Sequence, residues 1–287
     1  MTIISFDRAV GYYDETRGFL PGVAEQVRDA IVAFTGATAA TRFMELGIGT
    51  GRIAFPFLEA GYEYDGTDIS AAMMAKLEDK LADLAVRQNK PRSAIRCVLT
   101  QANLADPLPF ENASYDVLIA IHVFHLIQNW QHALRESKRI LKPNGWLLIS
   151  TDSRPAKPAE DEKRPDDTEF TVTMRWHKIL GELGVDRQTL RPFSRASDGE
   201  LSAYLQTLGA RTEIVELLTY NQPPLSPRQI AERLKARMYS SDWYLPDDIH
   251  EQASKRLDEW LNSECPNPDE VTQTQDTFNV LAASWGK

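Results

Sequence analysis

The 287-residue chain has only two cysteines, no long apolar run and a deficit of positive charge, and each shortage narrows what it can be. Cys97 and Cys265 lie far apart in sequence and give neither a disulfide framework nor a paired metal-ligand spacing, so both are expected as free thiols. No stretch has the roughly 20 apolar residues that a membrane helix needs, and Met1 to Arg8 lacks a basic segment followed by a cleavable apolar core. A cytoplasmic protein without a membrane span is therefore expected. Lys and Arg number 32 against 41 Asp and Glu, a net charge of −9. Affinity for phosphate backbones comes from concentrated Lys and Arg, so nucleic acid is not an expected partner. What is present is enough hydrophobic sequence, 43%, for one large domain or one domain plus a smaller one.

The stretch around which the rest is organised is Phe43 to Gly51, read Phe-Met-Glu-Leu-Gly-Ile-Gly-Thr-Gly, with Arg52 opening an apolar helix. A short apolar run feeding a glycine turn and then a helix is the ligand end of a βαβ unit, where glycines let backbone approach a ligand closely. A dinucleotide fingerprint G-x-G-x-x-G would need a third glycine at the position of Arg52; here the glycines are Gly47, Gly49 and Gly51. Glu63 to Ile69 reads as a second strand and delivers Asp68, an acid placed to accept hydrogen bonds from both hydroxyls of a ribose. NAD-binding folds share that acid, so Asp68 alone does not choose between cofactors.

The pattern Glu45-x-Gly47-x-Gly49-x-Gly51, followed by Asp68-Ile69-Ser70 and Met73, resembles the first motifs of the class I S-adenosylmethionine (SAM) methyltransferases. The resemblance covers roughly Phe6 to Thr151 plus the final strands and is nearest the quinone and small-molecule branch. It implies a Rossmann-like, doubly wound α/β sheet of seven strands, SAM as cofactor, and methyl transfer to a small, apolar acceptor. It also assigns cofactor contacts to Glu45, Gly47, Gly49, Gly51, Arg52, Asp68 and Ile69, with Asp68 on the ribose, and to Met73 against the adenine. The corner Gln101-Ala102-Asn103-Leu104 would hold the adenine edge, Asn103 standing where the family usually has Asp, since an amide oxygen also accepts a hydrogen bond. Tyr13 and Arg17, in a leader similar to that of many family members, would face the cofactor; an aromatic anchor and a solvated arginine are the alternative.

The run Asp116-Val117-Leu118-Ile119-Ala120-Ile121 suits a strand buried on both faces. His122-Val123-Phe124-His125 follows it, where the resemblance implies groups between cofactor and acceptor, so Ile121 and His122 join the cofactor contacts. His122, His125 and Tyr13 are the candidate catalytic bases, needed only if the acceptor must lose a proton. With His132, the histidines invite a zinc reading, but no carboxylate or cysteine stands at paired spacing and no metal is expected.

Further along, Ala94 to Thr100 reads as a third strand, Trp146 to Thr151 as a fifth and Arg211 to Tyr220 as a sixth, with a closing strand near Gln273 to Ser284. Asp152 to Glu169 holds 11 charged residues and three prolines and reads as a mobile loop. Ser197 and Ser226 each open a helix with a capping signal. The expected organisation is a helical segment over the cofactor at 1–40, a SAM-binding domain at 41–220 and 265–287, and a helical cap at 221–264 that either walls the acceptor or forms an assembly surface. Oligomeric state is not legible. Two other classes stay open: an NAD-dependent Rossmann oxidoreductase, disfavoured by Arg52, and a SAM-binding protein without catalysis.

Overall fold

The computed structural model describes residues 5–151, 168–186 and 196–286. Chain order alternates helix and strand: α1 (Tyr13–Arg17), α2 (Val23–Thr35), β1 (Arg42–Leu46), α3 (Ala54–Glu59), β2 (Glu63–Asp68), α4 (Ala71–Arg87), β3 (Leu99–Gln101), β4 (Tyr115–Ala120), α5 (Trp130–Ile140) and β5 (Leu141–Ser150). It continues through α6 (Thr168–Glu182), α7 (Asp198–Thr207), β6 (Arg211–Asn221), α8 (Pro227–Lys235), α9 (Asp247–Ser263) and β7 (Gln275–Ser284). The seven strands form one sheet in the order β3-β2-β1-β4-β5-β7-β6. β1 through β5 pair in parallel, and β7 runs antiparallel to β5. This is the Rossmann-like sheet of the class I methyltransferases.

Period-two alternation sorts the central strands between two cores. Phe43, Val117, Ile119 and Leu148 point to a face covered by Val27 and Ile31 of α2 and by Leu77, Leu81 and Leu84 of α4. Met44, Leu118, Ala120, Leu147 and Ile149 point to the other, against Leu134 of α5 and Leu201 and Leu205 of α7. With helices on both faces, the inner strands read as continuous apolar runs, and this makes β4 recognisable from sequence.

Two strands depart from their expected bounds. Residues 95 to 98 run beside β2, and their carbonyls at Arg96 and Val98 accept from the Tyr64 and Gly66 amides. The ladder is nevertheless broken, because the Cys97 amide turns back to the Ile95 carbonyl and the Val98 amide donates to the Asp65 carboxylate at 2.9 Å. β3 therefore starts only at Leu99. β5 begins earlier than expected, at Leu141, and takes the Lys142-Pro143-Asn144-Gly145 turn into the strand as an irregularity in its register with β4.

The chain divides into two compact units. The first holds the sheet and its flanking helices, comprising residues 1–157, 195–220 and 277–287; the second comprises 158–194 and 221–276. Within the second unit α6, α8 and α9 share a core of Trp176, Ile179, Ile230, Leu234, Leu257 and Leu261, and the buried Trp176 indole donates to Asp242 at 3.1 Å. Ser226 forms a full capping box with Gln229, with Pro227 opening α8, as the sequence signal indicated. Most of the charged stretch Asp152 to Glu169 lies outside the described residues.

Candidate active site

The site sits where the strand order reverses. β1 leads to β2 on one side, and the chain returns to β4 on the other, so the carboxyl ends of β1 and β4 border a crevice of the kind that holds ligands in open α/β sheets. The turn after β1 is clamped to β2, since the Gly47 and Ile48 amides both donate to the Thr67 carbonyl, at 2.7 and 2.9 Å. Its glycines do different work. A Cβ on Gly47 would lie 2.6 Å from Val123 Cγ2, and one on Gly51 would lie 2.4 Å from Leu77 Cδ1, so both are demanded by packing. At Gly49 (φ +53°) a Cβ would meet only Met73 Cε at 3.5 Å and Asp68 Oδ2 at 4.0 Å, facing the crevice. This is a backbone cradle left bare on its ligand side.

Asp68 ends β2 with its carboxylate fixed by the turn. Oδ2 accepts from the Gly49 amide at 2.9 Å and Oδ1 from the Ser70 amide at 2.8 Å. A carboxylate has about four acceptor positions, so two remain for a ligand. Burial pushes the Asp68 carboxyl above its ordinary value, opposed by the amides of Ser70, Gly49 and Ile69. Around it opens a cleft of about 880 Å³, counting the space open to solvent.

Ten of the residues selected from sequence line that cleft: Tyr13, Gly47, Gly49, Asp68, Ile69, Met73, Asn103, Leu104, Ile121 and His122. Ile69, Met73 and Leu104 give it apolar walls, suited to a flat ring. The Asn103 side chain is turned back on its own loop, Oδ1 accepting from the Ala105 amide and Nδ2 donating to Asp106, each at 3.0 Å. Its oxygen can still accept a second bond. His122 takes the left-handed conformation (φ +54°), uncommon for a residue with a side chain, and its amide is held by Ser150 Oγ at 2.7 Å. Strain of this kind clusters at functional sites.

Four cofactor-binding candidates and one catalytic candidate are not on the cleft wall. Gly51 packs on Leu77, as described. Arg52 donates to the Arg17 carbonyl at 3.0 Å and lies over the Phe19 ring, so these two residues fasten the N-terminal segment to the glycine turn. Glu45 is buried, accepting from the Tyr64 hydroxyl at 2.9 Å, and burial raises its carboxyl to about 8. His125 lies in the 3₁₀ turn Phe124–Leu126, off the main cleft.

Ala102 and Val123, from the two segments named in the sequence, and Phe6, Ala105, Leu126, Ile127 and Gln128, which it did not single out as contacts, complete the cleft. Phe6 packs edge-on against Tyr13, with ring centroids 5.9 Å apart. The segment carrying both is tied down by polar contacts absent from any motif: Ser70 Oγ to Asp7, Thr50 Oγ1 to Asp14 at 2.6 Å, and Lys80 to Asp14 at 2.6 Å. Only pairing across 36 to 66 positions could have disclosed them. No cluster of three or more His, Cys, Asp or Glu able to hold a metal occurs among the described residues.

A half-buried carboxylate, a bare glycine turn and apolar walls thus border one cleft at the switch point of the sheet. Residues 44–149 match the model of the methyltransferase domain family. A highly reducing polyketide synthase of Aspergillus nomiae is 31% identical over 188 residues, which is 57% of this chain and 7% of that synthase. A demethylmenaquinone methyltransferase of Tropheryma whipplei is 28% identical over 153 residues, 53% of this chain and 59% of that enzyme. The chain thus spans less than two thirds of these relatives. Among solved structures, phosphoethanolamine N-methyltransferase 2 of Haemonchus contortus with SAM bound has a TM-score of 0.55 at 16% identity, covering 99% of this chain and 61% of that one. The [4+2]-cyclase SpnF has a TM-score of 0.54 at 15% identity, covering 98% and 94%. These likenesses show the fold. The domain match shows that residues 44–149 form a methyltransferase domain, and it lies on the fold of these SAM-dependent class I enzymes.

Proposed function

We propose that this chain transfers the methyl group of SAM to a small-molecule acceptor. The observation that carries the reading is the juxtaposition, inside the matched domain, of the Asp68 carboxylate with the bare face of Gly49 at the strand switch point. When bound, SAM supplies a methyl group on a sulfonium, whose departing thioether is neutral and needs no acid. The residues' work is then chiefly positioning, an effect that reaches ~7 to 11 kcal/mol in favourable cases. In this reading Asp68 holds the ribose, Ile69, Met73 and Leu104 flank the adenine with Asn103 at its edge, and Phe6 and Tyr13 cover the cleft. His122, His125 or Tyr13 takes a proton where the acceptor has one to lose.

Small, uncharged acceptors suit an acidic chain better than polyanions do. The demethylmenaquinone methyltransferase and polyketide synthase relatives point the same way. No helix among the described residues is long and apolar enough to cross a membrane. A cytoplasmic setting goes with this reading. The test is incubation with trideuteromethyl-SAM and a panel of hydroxylated, amino and thiol acceptors, followed by mass spectrometry. Label appearing on an acceptor supports methyl transfer. Retention of all label by a protein that binds SAM tightly would mean that the domain serves binding or another reaction.

A further inference from the structure

One polar side chain on the wall of the main cleft has no structural task. The polar side chains there are Tyr13, Asp68, Asn103, His122 and Gln128. Asp68 holds the glycine turn, and Tyr13 packs on Phe6. His122 stands at the end of β4, in the turn held by Ser150. The Asn103 side chain is engaged in its own loop, accepting from Ala105 and donating to Asp106. Gln128 is exposed, and its side chain makes no hydrogen bond to another described residue.

Its place in the cleft follows from its neighbours. Residues 124 to 128 lead from the end of β4 to α5, and Ile127 is buried in the same core as Leu104 and Leu108 of the loop after β3. That loop is tied to α5, since the Leu108 amide donates to Glu136 at 2.8 Å and Arg139 donates to the Leu108 carbonyl at 3.0 Å. Gln128, next in the chain to Ile127, therefore stands at the end of the cleft where Asn103, Leu104 and Ala105 form the wall. This is the end away from the turn at His122.

The chemistry of a carboxamide suits what that end would hold. The edge of an adenine carries its 6-amino donor beside ring nitrogens that accept, so a side chain that reads it must offer an acceptor and a donor in one plane. A carboxamide offers both, whereas a carboxylate only accepts and an ammonium only donates. The plane of the Asn103 amide is set by Ala105 and Asp106. Gln128 is longer and has no such anchor, so it can turn into the plane of a base seated against Ile69, Met73 and Leu104.

We infer that Gln128 is the residue that reads the adenine edge of the cofactor, its side-chain oxygen accepting from the 6-amino group and its NH2 donating to a ring nitrogen, while Asn103 shapes the loop beside it. The inference rests on the methyl-transfer reading above, which puts the adenine at this end of the cleft.

The test is a cycle between the protein side chain and the ligand group. S-adenosylhomocysteine (SAH) and its analogue with unsubstituted purine in place of adenine, which lacks the 6-amino group, are titrated calorimetrically into the full wild-type chain, Gln128→Met and Asn103→Ala, each shown to be folded by circular dichroism. Wild type should prefer SAH to the purine analogue about fivefold, what one hydrogen bond between neutral partners contributes. Gln128→Met, which keeps the length and apolar bulk of the side chain at an exposed position, should lose that preference by binding SAH more weakly, with the melting temperature unchanged. Asn103→Ala should lower the melting temperature and keep the preference. A preference that survives Gln128→Met, or one that Asn103→Ala abolishes and Gln128→Met does not, would overturn the role of Gln128 alone. Failure of the wild type to bind SAH would overturn the methyl-transfer reading and this inference with it.

Discussion

Replacing Asp68 by Ala should cost about 3 kcal/mol of SAH affinity, roughly a 100-fold rise in dissociation constant. The figure follows from the carboxylate's partners. Two of its acceptor positions are taken by the Gly49 and Ser70 amides, leaving two for the ribose hydroxyls. Each hydrogen bond to a charged group contributes about 1.5 to 3 kcal/mol, so losing two removes about 3 to 6. Water entering the emptied space rehydrates the hydroxyls and brings the loss to the lower end of that range. The same substitution strips the Gly49 and Ser70 amides of their partners, so the melting temperature should fall as well. Asp68→Asn keeps the shape but exchanges an acceptor for a donor, and should lie between wild type and Ala. Isothermal titration calorimetry on variants shown to be folded by circular dichroism measures all three. An unchanged dissociation constant in folded Asp68→Ala would refute the ribose role.

Gly49→Ala and Gly51→Ala should separate binding from folding. The first, with room in the protein but its Cβ facing the cleft, should lose SAH binding at a backbone cost of ~1 to 2 kcal/mol, while the second meets Leu77 and should mainly lower the melting temperature. If both lost stability equally and retained affinity, the turn would not cradle the cofactor. Glu45 gives a pH signature: with its carboxyl raised by burial to about 8 from 4.5, the folded protein holds a proton that the unfolded chain releases. Its contribution is therefore fully present below pH 4.5 and is lost as pH rises through 8, at up to ~1.4 kcal/mol per pH unit. Urea midpoints should show Glu45→Gln gaining on the wild type across that window; parallel profiles would contradict it. Asp14→Ala, which removes the ties to Thr50 and Lys80, should speed SAH release about threefold, as fits a half-exposed ion pair worth under ~1 kcal/mol. Stopped-flow dissociation with an unaltered rate would show that the N-terminal segment does not hold the ligand.

Sequence disclosed most where one local rule dominates. Continuous burial made β4 legible, the capping boxes at Ser197 and Ser226 marked two helix starts, and glycine spacing with an acid at the end of the next strand located the crevice. It disclosed least where partners are remote. The shortening of β3 depends on Asp65 taking an amide that the ladder would otherwise have used. Gly47, Gly49 and Gly51 look equivalent in the motif, yet Gly47 and Gly51 have no room for a Cβ beside Val123 and Leu77, while Gly49 has room on the side of the crevice. In the sequence Arg52 reads as a missing third glycine and a cofactor contact, whereas its guanidinium reaches the Arg17 carbonyl. The bond from Thr151 to Asp198 gave no signal either, because the two residues stand 47 positions apart.

The most direct test of the central claim is calorimetric titration of the wild-type chain with SAH and, separately, with NADH. Saturable one-to-one binding of SAH with no heat from NADH is the predicted result. Binding of NADH in preference to SAH would contradict the assignment of the glycine turn and Asp68 to a SAM site.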